Sequence, residues 1–333
     1  MKRQTVFFEN MPRVIATASI VGRNEGDGPL SQYFDEIIPD GHFGEKTWEQ
    51  GESKFQKTAL STALSKTALT SAELGCVFSG DLLNQCVASS FAYRDSDVPF
   101  IGLYGACSTF VEGLALGGVF INSKSFDNVA VCASSHFCTA ERQYRNPIAY
   151  GGQRPPTAQR TVTGAGCAIL TSSVSDDSPA LRAATFGTVV DSGVSDANNM
   201  GATMAPAAYT SLKNHFENTG SSPSDFDLIA TGDLGEVGRK TVIDLFERDG
   251  VDIRGRYIDC GCEMFDIKRQ DMHSGASGCA CAATVFSGYI MNGLRAKKWR
   301  RILLAGTGSL QSPTTVQQKE TIPGICHIVE IEV

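Results

Sequence analysis

A long internal repeat constrains the fold of this chain more than any other feature of its sequence. Cys107 lies in a run of small residues, 105–109 (GACST), and the same order of strand, cysteine, helix and strand returns around Cys279, 172 residues later. The same shift carries the apolar segment 129–133 onto 301–305. Two matches in one register, at a period far longer than the roughly 20–50 residues of solenoid repeats, predict two related halves.

The two halves are predicted to be α/β units. A chain of 333 residues, 42% of them hydrophobic, can bury one large core or two fused ones, and apolar strands alternate with helical patterns along it. Segment 171–177 holds Ser, Thr, Val and Asp without periodicity, so it is predicted to link the halves. We therefore place the two halves at residues 1–173 and 178–333.

Several elements of the first half are predicted with definite bounds. Strands are predicted at 14–21 and 76–79, and a helix with one apolar face is predicted at 48–69. The helix predicted at 109–122 is small or apolar on nearly every face, which indicates a buried helix. The stretch 22–44, rich in glycine and acidic residues, is predicted to be a surface excursion.

Charge and cysteine content disfavour several classes of protein. The formal net charge of −7 argues against a nucleic-acid partner, because phosphate binding depends on clustered Lys and Arg. Met1 to Pro12 shows no basic-then-apolar leader, and no apolar run approaches the ~20 residues of a membrane helix. Eleven cysteines without the dense spacing of a secreted scaffold predict reduced thiols in an intracellular compartment. Any membrane association is expected to be peripheral.

Three motifs resemble the thiolase superfamily and together cover both halves. Residues 105–108 (GACS) look like the nucleophile turn of ketoacyl synthases, 163–170 (TGAGCAIL) look like their Asp-Gly-Ala-Gly-Ala strand, and 273–278 (HSGASG) look like the thiolase His-Pro-x-Gly-Ala-Ser-Gly. The resemblance implies a thiolase-like fold: two duplicated α/β halves, each with a five-stranded mixed sheet, layered α-β-α-β-α around two central buried helices. It also implies a homodimer formed through the edge strand after the nucleophile helix, here 128–133.

A narrower resemblance, to the stage V sporulation protein AD family, extends nearly end to end. It is carried by residues 80–85 (GDLLNQ), 140–143 (AERQ), 150–153 (YGGQ), 204–208 (MAPAA), 277–281 (SGCAC) and 317–320 (QQKE). It implies a sporulation protein that binds dipicolinic acid, pyridine-2,6-dicarboxylate, free or as its calcium chelate, during uptake into the developing spore. It further implies membrane-protein partners in the same uptake complex, synthesis in the mother-cell or forespore cytoplasm, and a peripheral position at the spore inner membrane.

Cys107 is the candidate nucleophile, and two interpretations of it remain open. At the start of a buried helix, free backbone N–H groups and the positive end of the helix dipole favour a thiolate. The alternative is a thiol packed as a small hydrophobe on a pocket floor. Condensing relatives keep a His where this chain has Thr231 and an Asn where it has Ala276, so only His273 is left as a candidate base.

Two functions of different class follow from these residues. The first is a non-catalytic binding protein, in which the condensing machinery is dismantled and the pocket is kept. The second is a Cys-dependent acyltransferase or ketoacyl synthase III-like condensing enzyme, acylated on Cys107 by acyl-coenzyme A. Such an enzyme must hold a base within about 3 Å of the Cys107 sulfur. We expect the binding protein, with no assignable catalytic residue.

The segment after strand 129–133 is the candidate ligand site, because ligands of α/β folds lie at the carboxyl ends of strands. It carries His136, Arg142 and Arg145, and the two arginines lie on one face if the segment is helical. Each guanidinium can hold one carboxylate of a planar diacid while a neighbouring aromatic ring stacks on the pyridine. The alternative for each arginine is a solvated side chain or an ion pair with Glu141.

Asp81 and Asp233 occupy equivalent positions in the two halves, each directly after a strand and a glycine. Such an aspartate commonly caps a helix or closes a turn. The alternative is that Asp81, with Asn84 and Gln85, contacts calcium carried by the ligand. The full predicted ligand-binding set is Asp81, Asn84, Cys107, His136, Arg142, Gln143, Arg145 and Lys319, with Arg154 and Arg160 further along the chain.

No resident metal or cofactor is predicted. The pairs Cys260-x-Cys262 and Cys279-x-Cys281 are spaced too closely for structural zinc, whose cysteine pairs usually hold two or more residues between them. Neither a phosphate loop nor a dinucleotide fingerprint follows a predicted strand. Calcium brought by the ligand is the one inorganic partner that the family resemblance allows.

Overall fold

The computed structural model describes residues 4–144, 154–173 and 178–333. The strands are β1 (Thr5–Phe7), β2 (Arg13–Gly22), β3 (Glu36–Ile38), β4 (Cys76–Gly80), β5 (Phe100–Gly102), β6 (Asn128–Ser135), β7 (Arg160–Thr161), β8 (Gly164–Thr171), β9 (Ala180–Thr185), β10 (Leu228–Thr231), β11 (Tyr257–Asp259), β12 (Ala276–Ser277), β13 (Arg301–Ser309) and β14 (Gly324–Glu332). The helices are α1 (Arg23–Gly26), α2 (Trp48–Ser65), α3 (Val87–Tyr93), α4 (Thr109–Asn122), α5 (Phe137–Tyr144), α6 (Met200–Thr219), α7 (Gly235–Arg248), α8 (Cys260–Glu263), α9 (Cys279–Val285), α10 (Met291–Arg295) and α11 (Pro313–Gln317). A π-helical segment, Phe286–Ile290, joins α9 to α10.

Ten strands form two five-stranded mixed sheets that share one seam. The first sheet has the order β2-β8-β6-β4-β5, and the second has the order β9-β14-β13-β10-β11. In each sheet only the second strand, β8 or β14, runs antiparallel to the other four. The seam is the residue pair Arg13 and Ala180, where β2 meets β9. The matching strand orders confirm the predicted duplication and the predicted five-stranded sheets.

Strand β6 lies inside the first sheet. Its residues pair with β4 on one side and with β8 on the other. The edge of this sheet is β5, which is only three residues long. The prediction that segment 128–133 forms an edge for dimerisation is therefore wrong, because both rows of its backbone hydrogen-bonding groups already have partners.

The helices form three layers around the two sheets. Helices α2 and α3 pack outside the first sheet, α6 and α7 pack outside the second, and α4 contacts both sheets with α9 beside it. Alternate residues of β6 separate two of these layers. Val129, Val131 and Ala133 belong to the central core, whereas Ala130 and Cys132 belong to the outer core under α2. This is the two-residue period of a strand, and it produces the predicted α-β-α-β-α layering.

The bounds of the predicted elements agree closely with the observed ones. Helix α4 spans the predicted residues, and β2 and β4 extend beyond their predicted ends by one residue at most. Helix α2 begins at the predicted Trp48, where the Thr47 side chain accepts a hydrogen bond from Gln50 N at 3.2 Å. It ends at Ser65, four residues early, and Lys66 Nζ donates to Thr17 O at 2.7 Å, which anchors this end on β2.

The acidic insertion after β2 packs against both halves and is not a surface excursion. Leu30, Phe34 and Ile38 are buried, and Glu25 is 1% exposed. Thr163 N donates to Glu25 Oε1 at 2.9 Å, and burial raises the pKa of Glu25 to about 7. The sequence prediction failed here because the apolar residues are scattered among glycines and acids without a helical or strand period.

Candidate functional site

The two central helices begin side by side and bring the repeated cysteines together. Cys107 lies in the turn before α4, and Cys279 is the first residue of α9. Cys279 Sγ donates to the carbonyl of Ala106 at 3.0 Å. Ala106 has a φ of 52°, a left-handed conformation that a non-glycine residue keeps only where its surroundings impose it. The turn before Cys107 is therefore held in a strained shape by the second half.

Asp233 supplies the polar group that faces Cys107. Its carboxylate accepts hydrogen bonds from Thr307 Oγ1 at 2.8 Å and from Gly278 N at 3.0 Å, and it lies close enough to the Cys107 thiol for each group to affect the pKa of the other. Gly278 has a φ of 105°, and a Cβ there would lie 2.6 Å from Ser135 Oγ, so only glycine fits. We call this set the floor of the site: Cys107, Asp233, Gly278, Cys279 and Thr307.

Burial and the neighbouring carboxylate keep Cys107 in the thiol form. Its side chain is buried, and its pKa lies well above that of a free cysteine, first because of burial and then because of Asp233. Burial also raises the pKa of Asp233 to about 7. The pKa of Cys107 thus moves opposite to the predicted direction, because desolvating a thiolate costs more than the helix dipole contributes.

Neither His273, the candidate base, nor Thr231, which replaces the His of condensing relatives, forms a hydrogen bond with Cys107 in the described residues. Thr231 Oγ1 donates to Asp259 Oδ1 at 2.7 Å. His273 donates from Nδ1 to the carbonyl of Pro155 at 2.9 Å. The acidic neighbour of the Cys107 sulfur is Asp233, two residues after Thr231. Its carboxylate keeps the proton on the thiol.

Asp81 closes its own loop. Its carboxylate accepts hydrogen bonds from Leu83 N at 2.8 Å and from Ser89 twice, through N at 2.8 Å and through Oγ at 2.6 Å. It is fully buried, and burial raises its pKa. These bonds are those of the predicted turn, and contact with ligand or calcium stays a prediction that requires this loop to open. The sequence did not predict that Asp233 faces Cys107, although the repeat identified Asp81 and Asp233 as equivalent residues.

A second cluster joins the end of α5 to the loop after β4. The carbonyl of Leu82 accepts from Gln143 Nε2 at 2.8 Å and from Tyr144 Oη at 2.7 Å, and Tyr104 Oη lies 3.5 Å from it. Gln143 Oε1 accepts from Asn84 N at 3.0 Å, and Tyr104 Oη donates to Asn84 Oδ1 at 3.3 Å. Two predicted ligand-binding residues, Asn84 and Gln143, are thus in direct contact. We call Asn84, Tyr104, Gln143 and Tyr144 the rim of the site.

The rim lies above the floor and is open to solvent. Asn84 and Tyr104 are exposed, the latter by 52%. Tyr144 lies near enough to Cys279 for the thiol to affect its pKa, which is raised first by burial. Residues 85 and 86, next to Asn84, have φ values of 59° and 50°. Left-handed backbone at both the rim and the floor is typical of functional sites.

Arg142 pairs with an acid from a distant part of the sequence. Its guanidinium forms an ion pair with Glu49 in the first turn of α2, and its central carbon lies 5.6 Å from the centre of the Trp48 ring. Half of the Arg142 side chain is exposed. The guanidinium is therefore oriented by two neighbours and still accessible to a ligand.

The other predicted arginines contact different surfaces. The Arg160 guanidinium covers the Phe137 ring at 3.9 Å, and Arg154 Nη2 donates to Asp271 O at 3.0 Å. Arg145 lies outside the described residues, as does segment 150–153. The described arginines thus surround the region of α5 rather than converging on one point.

His136 and Lys319 form no hydrogen bond with the rim in the part of the chain that the structure describes. His136 Nε2 donates to Gly41 O at 2.8 Å, and its Nδ1 accepts from Cys138 N at 3.1 Å, which fits a neutral ring. Burial lowers the pKa of His136. Lys319 follows α11 as an exposed residue with a φ of 63°. Contact of either residue with a ligand stays a prediction.

Metal-ligating side chains and membrane-spanning helices were the other two features expected to bear on function. Within residues 4–144, 154–173 and 178–333, His, Cys, Asp and Glu side chains form no group of three or more that would hold a metal ion. In the same ranges, no helix has the length and apolar character needed to cross a bilayer. All eleven cysteines are free thiols.

Comparison with families and curated proteins identifies relatives over the whole chain. A family model described as "Stage V sporulation protein AD" matches residues 2–332. Stage V sporulation protein AD of Bacillus subtilis (strain 168) is 39% identical over 330 residues, which is 99% of this chain and 97% of the relative. The family predicted from the short motifs is therefore confirmed.

Solved structures of the same fold are more distant in sequence. OleA of Xanthomonas campestris with cerulenin bound has a TM-score of 0.64 at 15% identity, and the match covers 98% of this chain and 100% of OleA. A variant of the same OleA has a TM-score of 0.61 at 16% identity, with 98% and 100% covered. This similarity confirms the predicted thiolase-like fold and, at such identity, concerns the fold alone.

Proposed function

We propose, on the premise that the chain belongs to the stage V sporulation protein AD family, that it binds dipicolinic acid during uptake of this compound into the developing bacterial spore. The family assignment gives a sporulation protein. The ligand and the uptake step are the proposal, and the arrangement of the rim and the floor supports them.

The observation that carries the proposal is the half-exposed side chain of Arg142, which directly precedes Gln143 of the rim on α5. Glu49 occupies only part of the five N–H donors of this guanidinium. A guanidinium binds a carboxylate through two parallel hydrogen bonds, and the Trp48 ring beneath it fixes the plane in which they form. The amides of Asn84 and Gln143 stand at the adjacent rim. A planar diacid is thereby offered a charged donor for one carboxylate and neutral donors for the other.

The floor supports binding rather than group transfer. A condensing enzyme needs a thiolate and a base within hydrogen-bond reach of it. The acid–base neighbour of Cys107 is instead a carboxylate that raises the pKa of the thiol. In this site Cys107 provides a small, weakly polar surface beneath the ligand.

The proposal also includes the location and the partners that the family resemblance implies. The protein acts at the periphery of the spore inner membrane, with membrane proteins of the same uptake complex as partners. Calcium enters as the chelate of the ligand, which supplies its own carboxylate oxygens. A homodimer would join copies through the outer edge of β5, which has no strand partner in the described residues.

Equilibrium titration with dipicolinate, with and without calcium, tests this proposal. We expect saturable binding near micromolar Kd. Arg142→Ala should weaken it by about 10- to 100-fold, because a charged hydrogen-bonded pair contributes roughly 1.5–3 kcal/mol. Arg94→Ala is the matched control, since Arg94 is also partly exposed and lies over an aromatic ring, Phe91, away from the rim.

The acyltransferase alternative makes the opposite prediction. Under it, incubation with acyl-coenzyme A adds an acyl group to Cys107, detected as a mass increase that Cys107→Ala abolishes. Acylation together with no saturable dipicolinate binding would replace the binding proposal. Binding that survives in Cys107→Ala, without acylation of the native protein, would support it.

A further inference from the structure

The turn from the end of α10 to the start of β13 concentrates positive charge in a chain whose formal net charge is −7. Five of the seven residues 295–301 (RAKKWRR) are Lys or Arg. Lys297, Lys298 and Arg300 are exposed, and none of the three has an ion-pair partner within the residues that the structure describes. Arg301 differs from them, because its guanidinium pairs with a buried glutamate of β14 at 2.8 Å. The turn therefore presents unpaired positive charge to solvent.

Three aromatic rings form a row beside this charge. The centre of the Trp299 ring lies 5.4 Å from that of Tyr289, and the Tyr289 ring lies 5.0 Å from that of Tyr33. All three pack against the central core, Trp299 directly on Gly293, and all three keep part of their surface exposed. Lys298 Nζ lies 4.4 Å from the centre of the Trp299 ring and donates to Tyr289 Oη at 3.2 Å. We call the following residues the basic aromatic patch: Tyr33, Tyr289, Lys297, Lys298, Trp299 and Arg300.

The acids near the patch leave its charge in place. Asp227 lies beside the turn, and its carboxylate accepts from Arg300 N at 2.7 Å and from Arg301 N at 3.2 Å. These bonds fix the backbone of the turn and do not use the Arg300 guanidinium. Glu263 lies close enough for the Lys298 charge to affect its pKa, but these two side chains form no ion pair. The patch thus combines a fixed turn, accessible cations and partly exposed rings.

The patch lies at the other end of the strands from the floor of the site. The basic turn directly precedes β13, whose residue Thr307 belongs to the floor, and the six steps from Arg301 to Thr307 span about 20 Å. Helix α9 gives the same result, because it begins at Cys279 in the floor and its helical continuation reaches Tyr289 ten residues later, about 15 Å along the axis. A partner that covers the patch therefore leaves the rim open.

Charge and rings together match the surface of an anionic bilayer. Acidic head groups attract Lys and Arg, whereas Trp and Tyr favour the boundary between lipid and water, because each has an apolar ring and a polar tip. Basic side chains also bury their stems against apolar surface while their charged ends stay in water. An acidic protein segment would use the charge alone, so the row of rings favours lipid. The net charge of the chain opposes a nucleic acid.

We propose that the basic aromatic patch is the surface through which this protein docks on an anionic lipid membrane. Each Lys or Arg held near such a surface strengthens binding about fivefold. The partly exposed rings enter the head-group layer, and the contact weakens as salt screens the charges. The place of this membrane, at the developing spore, rests on the proposed function, whereas the contact with lipid rests on the patch.

Co-sedimentation of the full-length protein with vesicles tests the contact with lipid. At low ionic strength we expect binding to vesicles of phosphatidylglycerol and phosphatidylcholine in equal parts, and none to phosphatidylcholine alone. The double variant Lys297→Gln/Arg300→Gln should bind about 25-fold more weakly. Lys46→Gln/Arg94→Gln is the matched control, because it removes the same charge from exposed residues of the first half, and it should bind like the native protein. Equal losses in the two double variants, or equal binding to both kinds of vesicle, overturn the inference.

Fluorescence of Trp299 tests which surface meets the lipid. The chain has two tryptophans, so Trp48→Phe leaves Trp299 as the one tryptophan emitter. Lipids brominated in the upper part of the acyl chain should quench this emission when the protein is bound, because the ring enters the boundary layer. Vesicle binding without quenching shows that another surface docks, and it overturns the inference.

Dipicolinate titration separates this inference from the proposed function. Because the patch lies about 20 Å from the floor, Lys297→Gln/Arg300→Gln should bind dipicolinate with native affinity. Dipicolinate binding without any binding to anionic vesicles overturns the inference alone. Vesicle binding that depends on the patch, without dipicolinate binding, overturns the proposed function alone. Binding of polyglutamate in place of vesicles assigns the patch to an acidic protein partner and overturns the contact with lipid.

Discussion

Asp81 and Asp233 occupy equivalent positions in the two halves, but their carboxylates contact different parts of the structure. Each follows a short buried strand and a glycine at the carboxyl edge of its sheet. The Asp81 carboxylate turns back to its own loop, where it accepts from Leu83 and Ser89. The Asp233 carboxylate accepts from Gly278 N and Thr307 Oγ1 of its own half, and it also faces Cys107 of the first half, whose pKa it raises. A sequence repeat thus predicts the position of a residue in the fold, but not which half its side chain contacts.

Because their contacts differ, the two aspartates have different roles in the site. Asp81 holds the loop that carries Asn84 of the rim. Asp233 sets the protonation of the floor. The two halves of the repeat thus carry the same carboxylate, but Asp81 stabilises a loop and Asp233 sets the protonation of Cys107.

The largest expected effect is the loss of stability on removing Asp81. Asp81→Ala leaves two immobile backbone donors buried without an acceptor, Leu83 N and Ser89 N, and each costs roughly 1–3 kcal/mol. We expect a loss of about 3 kcal/mol in the free energy of unfolding. Asp233→Ala should cost about half as much, because Gly278 N is its only backbone donor and the Thr307 hydroxyl can rotate. Urea unfolding of both variants checks this, and equal losses would contradict the division of roles.

The pH dependence of stability sharpens the same comparison. Burial raises the pKa of Asp233 to about 7 and that of Glu52 to about 8, whereas both lie near 4 in an unfolded chain. The folded protein holds protons that the unfolded chain releases, so this stabilisation is fully present below about pH 4 and is lost as pH rises toward 7 and 8. The slope is at most about 1.4 kcal/mol per pH unit for each carboxyl. Urea unfolding between pH 5 and pH 8 should show the fall.

Substitution separates these two contributions. Asp233→Asn should flatten the slope below pH 7 only, and Glu52→Gln should flatten it up to pH 8. An unchanged slope in both variants would show that neither carboxyl carries the proton assigned to it.

A smaller effect is expected on the reactivity of Cys107. Asp233→Asn removes the negative charge beside the sulfur, and its amide can keep contact with Gly278 N and Thr307 Oγ1. The pKa of Cys107 should fall, and alkylation by iodoacetamide at pH 8 should become about fivefold faster. Asp81→Asn should leave the rate unchanged. Peptide mapping identifies the modified cysteine, and equal acceleration in both variants would remove the distinction between the aspartates.

The smallest effect concerns the rim. Tyr104→Phe removes one exposed hydroxyl, which lies 3.3 Å from Asn84 Oδ1 and 3.5 Å from Leu82 O. Dipicolinate affinity should fall about twofold, because one exposed neutral hydrogen bond contributes about 0.5 kcal/mol. Titration beside Arg142→Ala ranks the two residues, and a larger loss for Tyr104→Phe would move the centre of the site away from α5.

The fold was largely predictable because its signals are local or repeated. The bounds of α4 follow from its composition, and the shift from Cys107 to Cys279 identifies the second central helix. The place of β6 within its sheet was not predictable, because strand order depends on pairing between distant segments. The packing of insertion 22–44 was missed for a similar reason, since its buried residues have no regular period.

At the candidate site the sequence predicted some neighbouring residues but few of their hydrogen-bond partners, and their contact with a ligand stays a prediction. Asn84 and Gln143 do meet, and Cys107 does lie at the floor. His136 turns to Gly41 and Arg142 turns to Glu49, and both partners come from segments more than 90 residues away. No local pattern encodes such a choice of partner, because it is set by how the insertion and α2 pack against α5.

The crowded carbonyl of Leu82 has a consequence for how fast a ligand can be exchanged. Three side-chain donors lie within 3.5 Å of an oxygen with two lone pairs, so one donor is surplus. The Tyr104 hydroxyl, the most distant and most exposed of the three, can turn to an arriving anion without leaving the carbonyl unsatisfied. It can return when the anion leaves. Under the proposed function, capture and release of the ligand then both proceed over low barriers, and the residence time is short.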